Sequence, residues 1–476
     1  MIAEIAIGAL LAMAGFGALA PVSGHVPGMA RVWLSIPTGM AMYMIAALCL
    51  VLLTGTLSPL IALSVALGLG IVAMGIAARS QRLSPRDVRR VGIALGVVTL
   101  TVFVSRVVHL TRLSPDSLRY LLAATDLVRP NALEEMHTAD LLIRQIGLPS
   151  LHSFYPNVDR DYLASIAPLF GVSGIGLFTW LTWQATSGSS RRRRLLMVGA
   201  AVTFVGTSNR LVYDSFYINT HIQMAVYLLI AVAGSWWAVS KEKSGWAWPA
   251  GLALAGALLL RPEAPLVVAI ILVTVAASRA SWSVRAMVSI PPVFVTGIWY
   301  GIALWQNANS GDRVSLTAPV FGSLLAVSMA AMAVAVGGLR RARPVAAWFD
   351  RIGLGGIGLL LAVFAVNNRD VVADSIVATF RNLTYDGAWL LTWVGALGLL
   401  GVALTVHRVP DGRLWTVPIV GFGLLYWLLP LLREGAWRVG AGDSGNRILA
   451  HILAVVVVFL VLTAARPTEI PGRAEA

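Results

Sequence analysis

About fifteen apolar runs, most of them close to the length that crosses a lipid bilayer, divide this sequence of 476 residues. Because every backbone polar group inside a bilayer must be satisfied within its own segment, helices are the expected element. The sequence therefore predicts an all-α fold, a polytopic transmembrane helical bundle of about 13–15 spans. The runs are centred near residues 12, 46, 67, 99, 175, 203, 230, 253, 271, 295, 326, 359, 397, 422 and 456.

Composition excludes two other classes of protein. Only 12% of the residues are charged, about half the share of a soluble domain. The net charge of +14 does not indicate nucleic-acid binding, because the basic residues stand in short clusters between apolar runs.

The single cysteine, Cys49, cannot form an intramolecular disulfide. Lysine occurs only at Lys241 and Lys243, and this preference for arginine suggests a bacterial genome.

The distribution of basic residues predicts the orientation of the spans. One set of alternate loops carries 22 of the 36 basic residues but only 6 of the 22 acidic ones. Such loops stay on the cytoplasmic side, and the short tail 466–476 belongs to them. The N-terminus is then outside. Because it lacks the basic start of a signal peptide, we expect the first apolar run to be retained as a span.

The other loops face outward, to the periplasm or cell exterior, if the chain lies in the inner (plasma) membrane. The longest covers 109–164, and its stretches 116–128 and 132–146 have apolar residues at helical spacing. These stretches are predicted to be amphipathic helices at the membrane interface. The chain is thus expected to have about three N-terminal spans (1–80) ahead of a core (90–465) that contains this loop.

Asp116 is the first candidate for chemistry. It follows Ser114 and Pro115, which are typical of a helix start. Its carboxylate is interpreted either as a cap of that helix or as a general base held at the membrane surface. The sequence alone leaves both roles open.

The segment Arg261-Pro262-Glu263 separates the two short apolar runs near residues 253 and 271. Ionisable groups at membrane depth are costly and are often functional. The arginine and the glutamate are interpreted either as an ion pair that stabilises a broken helix or as part of a binding site. In the second case the arginine would bind a phosphate diester at the level of the lipid headgroups.

Two further outward turns lead into later spans. One is Tyr213–His221, which includes Asp214 and whose tyrosines and histidine are also typical of residues at a membrane interface. The other is Gly440–Arg447, which contains Asp443 and Asn446. Its glycines, asparagine and arginine at a helix start suit an anion held by backbone N–H groups, or an ordinary capped loop.

A short acidic pattern in the long outward loop raises the question of a metal. Asp159 and Asp161 form an Asp-x-Asp pair. Such pairs hold Mg²⁺ or Mn²⁺ together with a substrate phosphate in some proteins, although the pattern is common. The sequence therefore leaves a metal at these two residues open.

The order of these elements resembles the integral-membrane glycosyltransferases of the GT-C superfamily. In that group the first core span leads into a long outward loop with an acidic residue near its start, matched here by Asp116. A Tyr/Asn/His turn, an Arg-Pro-Glu break and a Gly/Ser-Asn-Arg approach to a late span are similar to Tyr217–His221, Arg261–Glu263 and Gly445–Arg447. The resemblance covers roughly residues 90–460. Many members have adjacent acidic residues where this chain has a single aspartate.

The resemblance implies transfer of a sugar from a polyprenyl-phosphate donor to a polysaccharide, glycolipid or protein acceptor of the cell envelope. Asp116 would be the general base of an inverting single displacement. Arg261, Arg447 and His221 would bind the donor phosphate. The further substrate-binding residues would be Tyr120, Tyr217, Asn219, Glu263, Asp443 and Asn446.

Three other functions remain open at this stage. A transporter or flippase of lipid-linked saccharides would place charges on interrupted helices, as at Arg261, but the sequence has no clear internal repeat. A ligase or polymerase would use a polyprenyl-diphosphate glycan as donor. A non-catalytic membrane scaffold would tolerate replacement of Asp116, Arg261 and Arg447 together.

Overall fold

A computed structural model describes residues 1–80, 84–109, 111, 113, 115–130, 132, 145–155, 162–309, 317–406, 409–432 and 435–465. Within these ranges all regular secondary structure is helical, which confirms the predicted class. In chain order the α-helices are α1 (Ile2–Ala18), α2 (Gly28–Thr54), α3 (Pro59–Arg79), α4 (Pro85–Val107), α5 (Pro115–Leu127), α6 (Gly147–His152), α7 (Ile166–Ala185), α8 (Arg191–Gly206), α9 (Asn209–Asp214), α10 (His221–Ser240), α11 (Ala247–Leu258), α12 (Ala264–Ala277), α13 (Trp282–Asn309), α14 (Thr317–Gly337), α15 (Arg343–Ala346), α16 (Phe349–Asn367), α17 (Arg369–Arg381), α18 (Thr392–Val406), α19 (Arg413–Leu432), α20 (Ser444–Ile448) and α21 (Ala450–Ala464).

Many of these helices are suited to a bilayer. In the described ranges nine helical segments are long and apolar enough to cross a membrane, and four shorter apolar helices accompany them. Each of the fifteen predicted run centres lies inside a helix. The chain is therefore a helical bundle of the kind that polytopic membrane proteins form.

The outer surface of the bundle is apolar over long helix faces. Only 6% of the apolar window that includes α16 is buried, and its Leu359 and Val366 are 67% and 62% exposed. α3 is similar, with Ile71 at 59%. Contiguous apolar faces of this size are rare on soluble monomers. They suit contact with hydrocarbon.

Contacts between helix ends agree with the predicted division of the loops between two sides. Glu4, near the start of α1, accepts hydrogen bonds from Arg106 at the end of α4 and from the backbone N–H of Ser165. At the opposite end of α4, Asp87 completes a capping box with Ser84 and pairs with Arg31 of α2 at 2.6 Å. Each set joins helix ends that the loop charges place on one side.

Small residues allow the first helices to approach closely. A Cβ atom built on Gly15 of α1 would lie 1.9 Å from the carbonyl oxygen of Ser35 in α2. Reciprocally, a Cβ on Gly39 of α2 would lie 1.8 Å from the carbonyl oxygen of Leu11. Backbone approach at small residues is a main source of helix association in membranes. Segment 1–80 is also joined to the core, because the Tyr227 hydroxyl of α10 donates to the Pro37 carbonyl at 3.0 Å.

Two local predictions about helices can be checked directly. The break at Arg261–Glu263 is confirmed, since α11 ends at Leu258 and α12 begins at Ala264. The predicted interfacial helix 116–128 corresponds to α5, in which Leu118 and Leu122 are exposed and Leu121 is buried. The second predicted helix, 132–146, lies almost wholly outside the described residues.

We expect Gly15→Leu to destabilise the protein, because the side chain collides with backbone of α2 that cannot rotate away. The cost should be about 1–3 kcal/mol, as for other overpacked contacts. Thermal unfolding of the purified protein in detergent measures it. The matched control is Gly68→Leu in α3, where an added Cβ meets no atom within 4 Å. Equal loss of stability in both variants would contradict the close crossing.

Candidate functional site

An ion pair joins the two ends of the predicted core. Asp116, in the first turn of α5, accepts a hydrogen bond from Nη1 of Arg447 in α20, with 3.1 Å between Oδ2 and Nη1. The two residues are 331 positions apart. The carboxylate side chain is 37% exposed and the guanidinium 13%. The sequence singled out both residues, and the structure brings them into contact.

Arg261 connects three elements beside this pair. Its guanidinium makes an ion pair with Glu263, with Nη2 2.7 Å from Oε1. It also reaches the Thr220 hydroxyl at 3.4 Å and shares a hydrogen bond with the Tyr120 hydroxyl of α5. The interruption between α11 and α12 therefore places its arginine against α5 and the start of α10. Glu263 is its counter-ion, as expected if the two residues form an ion pair that stabilises the broken helix.

His221, the first residue of α10, lies in a buried histidine pair. Its Nδ1 is 2.9 Å from Nε2 of His451 in α21, and the rings are stacked. Both residues are at most 1% exposed. One ring must donate to the other, so the pair shares a single proton at this contact. The charges of Arg261 and Arg447 act on His221, so the histidine belongs to the same cluster.

Arg210 and Asp214 also belong to the cluster: Arg210 was missed in the sequence analysis, and Asp214 was placed there in an outward turn without being assigned to the site. The arginine pairs with both carboxylate oxygens, at 3.0 and 3.3 Å, and donates to the Ala441 carbonyl oxygen at 2.6 Å. Burial raises the pKa of Asp214 above its ordinary value, while Arg210, Asn219 and Arg447 act in the opposite direction. The sequence did contain a signal for this ion pair, because an arginine and an aspartate four positions apart can meet on one helix face.

Two of the predicted substrate-binding residues, Asp443 and Asn446, form hydrogen bonds within the protein around α20. Asp443 caps α20 by accepting from the backbone N–H of Gly445 at 2.8 Å. Asn446 is fully buried, donates to the Gly387 carbonyl oxygen and accepts from the Trp389 indole. These bonds place α20, and with it Arg447, against the segment that follows α17.

Side-chain hydrogen bonds also fix the turn that precedes α10. Asn219 donates to Asp214 at 3.3 Å and accepts from the backbone N–H of His221 at 2.8 Å. Tyr217 is buried, with its ring centroid 5.4 Å from that of Tyr213. Asn219 therefore fixes the start of α10, and the two tyrosines line a cavity.

Two cavities adjoin the cluster on either side of this turn. The polar one, of about 220 Å³, is lined by Arg210, Tyr213, Tyr217 and Arg447 among others. The apolar one, of about 290 Å³, runs between α7, α8, α10 and α21 and includes Phe216 of the same turn. The segment 209–217 thus supplies lining residues to both the polar cavity and the apolar groove.

The metal hypothesis receives no test from the geometry. Asp159 and Asp161 lie outside the described residues. In the ranges that the structure does describe, no three His, Cys, Asp or Glu side chains are arranged to hold a metal ion. A role for Mg²⁺ or Mn²⁺ stays a prediction on the two aspartates.

No protein-family model, characterised protein or solved structure matches this chain significantly. The chemistry of the site must therefore be argued from its own residues. The arrangement combines a partly exposed carboxylate, three arginines and a buried histidine pair, and two of the arginines, Arg210 and Arg447, line the polar cavity. Such a set can bind a phosphorylated ligand and accept a proton from a hydroxyl near it.

We expect removal of either partner of the Arg210–Asp214 pair to be severely destabilising, because the other charge stays buried. Arg210→Met and Asp214→Leu should each cost about 3–5 kcal/mol, and the double variant should cost clearly less than their sum. Thermal unfolding in detergent measures the cycle. The control is the exposed pair Arg381–Asp386, whose disruption should cost about 0–1 kcal/mol. Additive losses at Arg210 and Asp214 would contradict a coupled pair.

Proposed function

We propose that this protein is a membrane glycosyltransferase that moves a sugar from a polyprenyl-phosphate donor to a cell-envelope acceptor on the outward face. The observation that carries the proposal is the contact of Asp116 with Arg447, beside Arg261 and the polar cavity. A candidate base and candidate phosphate ligands are thus adjacent. The resemblance to the GT-C superfamily assigns the same roles to them.

Three arginines support binding of the donor phosphate. Arg210 and Arg447 line the polar cavity, and the charges of all three arginines act on His221. Arginine binds phosphate oxygens through paired N–H groups and keeps its charge when partly buried. Charge that builds on the departing phosphate would be stabilised by these fixed cations.

The reaction that this arrangement supports is a single displacement. The acceptor hydroxyl oxygen attacks the anomeric carbon while its proton passes to Asp116. The bond between that carbon and the phosphate oxygen breaks, and the phosphate leaves with the electron pair. Attack opposite to the leaving group inverts the anomeric centre. Arg447 contacts the carboxylate and lines the cavity, so it orients the base relative to the leaving group.

The apolar groove supports a lipid-linked donor. It begins at the turn that carries Tyr213 and Tyr217 and continues between spans. An isoprenoid chain there would leave its phosphate at the polar cavity. In this proposal the chain crosses the inner membrane about 13–15 times, and the site faces the periplasm or cell exterior.

A transporter or flippase of lipid-linked saccharides is the second candidate. The buried His221–His451 pair favours it, because ionisable residues within spans mark the proton relays of transporters. Arg261 and Glu263 also favour it, because they lie at the interruption between α11 and α12 and transporters bind substrates at discontinuous helices. A polyprenyl-diphosphate-glycan ligase or polymerase would use the same arginines with a different donor. Proteoliposomes that move the lipid-linked saccharide without forming a glycosidic product would favour transport.

We expect Asp116→Asn to lower sugar transfer from a polyprenyl-phosphate donor about 10²–10⁴-fold, since the amide cannot take the acceptor proton. Turnover of purified protein with defined donor and acceptor measures the effect, with thermal unfolding as a check of folding. The matched control is Asp126→Asn, on the same helix and paired with the exposed Arg129, which should keep its turnover. Undiminished turnover of Asp116→Asn would remove Asp116 as the base.

We expect Gly206→Phe to fill the apolar groove, because this glycine lines it and an added Cβ meets no atom within 4 Å. The KM for a long-chain polyprenyl donor should rise about tenfold, while a donor with a short chain keeps its KM. Gly199→Phe is the control, since its Cβ also meets open space but the residue does not line the groove. A rise for both chain lengths would place the tail elsewhere.

A further inference from the structure

A second charged cavity lies at the other end of the bundle. It encloses about 820 Å³ and is formed where the segments 276–285, 337–347 and 410–413 meet. α12 begins beside Glu263 of the outward cluster and ends at this cavity. With 14 residues it is about 21 Å long. The loop charges place all three segments on the cytoplasmic side.

Four arginines line this cavity, and two of them, Arg285 and Arg413, donate hydrogen bonds to backbone carbonyl oxygens. Arg285 donates to the carbonyl oxygens of Ser278 and Ala280, at 2.9 and 3.0 Å, where α12 has ended. Arg413 donates to the carbonyl oxygens of Ala277 and Ala347, at 3.1 and 3.2 Å. Cations at helix C-termini are favourable. These two arginines therefore need no ligand to explain them.

The other two, Arg279 and Arg343, have no such explanation. Both side chains are exposed and line the cavity, and within the described part of the chain neither guanidinium group has a hydrogen-bond or ion-pair partner. The charge of Arg343 also repels that of the buried Arg285. The one carboxylate in the lining, Asp411, accepts from the Ser240 hydroxyl at 2.9 Å. The cavity thus has positive charge in excess of its counter-ions.

Exposed tryptophans place the cavity at the depth of lipid headgroups. Trp282, within the 276–285 segment, is 62% exposed, and Trp348, next to the 337–347 segment, is 54% exposed. Tryptophan is enriched where a membrane meets water, since its ring is amphipathic. Lipid phosphates are the anions that are present at this depth in the highest concentration.

We propose that this cavity binds the phosphate of an anionic phospholipid of the cytoplasmic leaflet, with Arg279 and Arg343 as its ligands. Arg285 lies at the back of the cavity and adds to its potential without contacting the phosphate. Basic pockets between helices on the cytoplasmic side suit such headgroups. The site is separate from the proposed glycosyl-transfer site and does not depend on it.

Binding of phosphatidylglycerol to the full-length protein in detergent, counted by native mass spectrometry, tests the proposal. The double variant Arg279→Gln/Arg343→Gln should bind the tightest lipid about tenfold or more weakly, because two charges leave the site. The matched control is Arg340→Gln/Arg341→Gln, which removes the same charge from exposed residues of the same turn that do not line the cavity. This control should retain wild-type affinity.

Three results would overturn the proposal. Equal weakening in both double variants would indicate a general surface potential. Equal affinity of the wild type for phosphatidylcholine and phosphatidylglycerol would remove the preference for an anionic headgroup. Displacement of the lipid by inorganic phosphate at equal concentration would assign the site to a free anion. Circular dichroism and thermal unfolding of each variant confirm that the folded protein is being compared.

Discussion

Charge compensation at helix ends is the interaction on which this arrangement depends. Apolar helix faces gain little from burial against one another when the alternative is hydrocarbon. A buried guanidinium, in contrast, must find a counter-charge or carbonyl oxygens. Arg31, Arg210 and Arg261 each meet a carboxylate, and Arg285 meets carbonyl oxygens. These contacts fix which helix ends lie together, and the close glycine contacts follow from that register.

The fold was largely predictable because hydropathy and loop charge act within single segments. Fifteen runs became helices, the break at Arg261–Glu263 appeared where the charges interrupt the pattern, and α5 formed where the period predicted it. The contact of Asp116 with Arg447 was not predictable, since nothing local relates residues 331 positions apart. The predicted topology put both residues on one side of the membrane, which reduced the number of possible partners of Asp116 but did not identify Arg447 among them.

The missed residues have identifiable reasons. His451 lies within an apolar run, and a polar residue at that depth is itself a signal of function, but an isolated histidine gives no hint of its partner. Arg210 precedes, and Asp214 lies within, a short turn whose tyrosines are typical of a membrane interface. Neither residue was therefore assigned to the site. Asp443 and Asn446 were predicted to bind substrate, and their bonds to backbone show how strongly a capping role resembles a binding motif. Asp159 and Asp161 stay predictions.

The separation of Asp116 from Arg447 has a consequence for biogenesis. Spans enter the membrane in the order of synthesis, so α5 is placed long before α20 emerges from the ribosome. Until α20 has been made, the carboxylate lacks the guanidinium that it meets in the folded protein, and the polar cavity lacks Arg447 in its lining. The cluster thus comes together only after residue 447 has been synthesised, and a chain that stops short of that residue cannot assemble it.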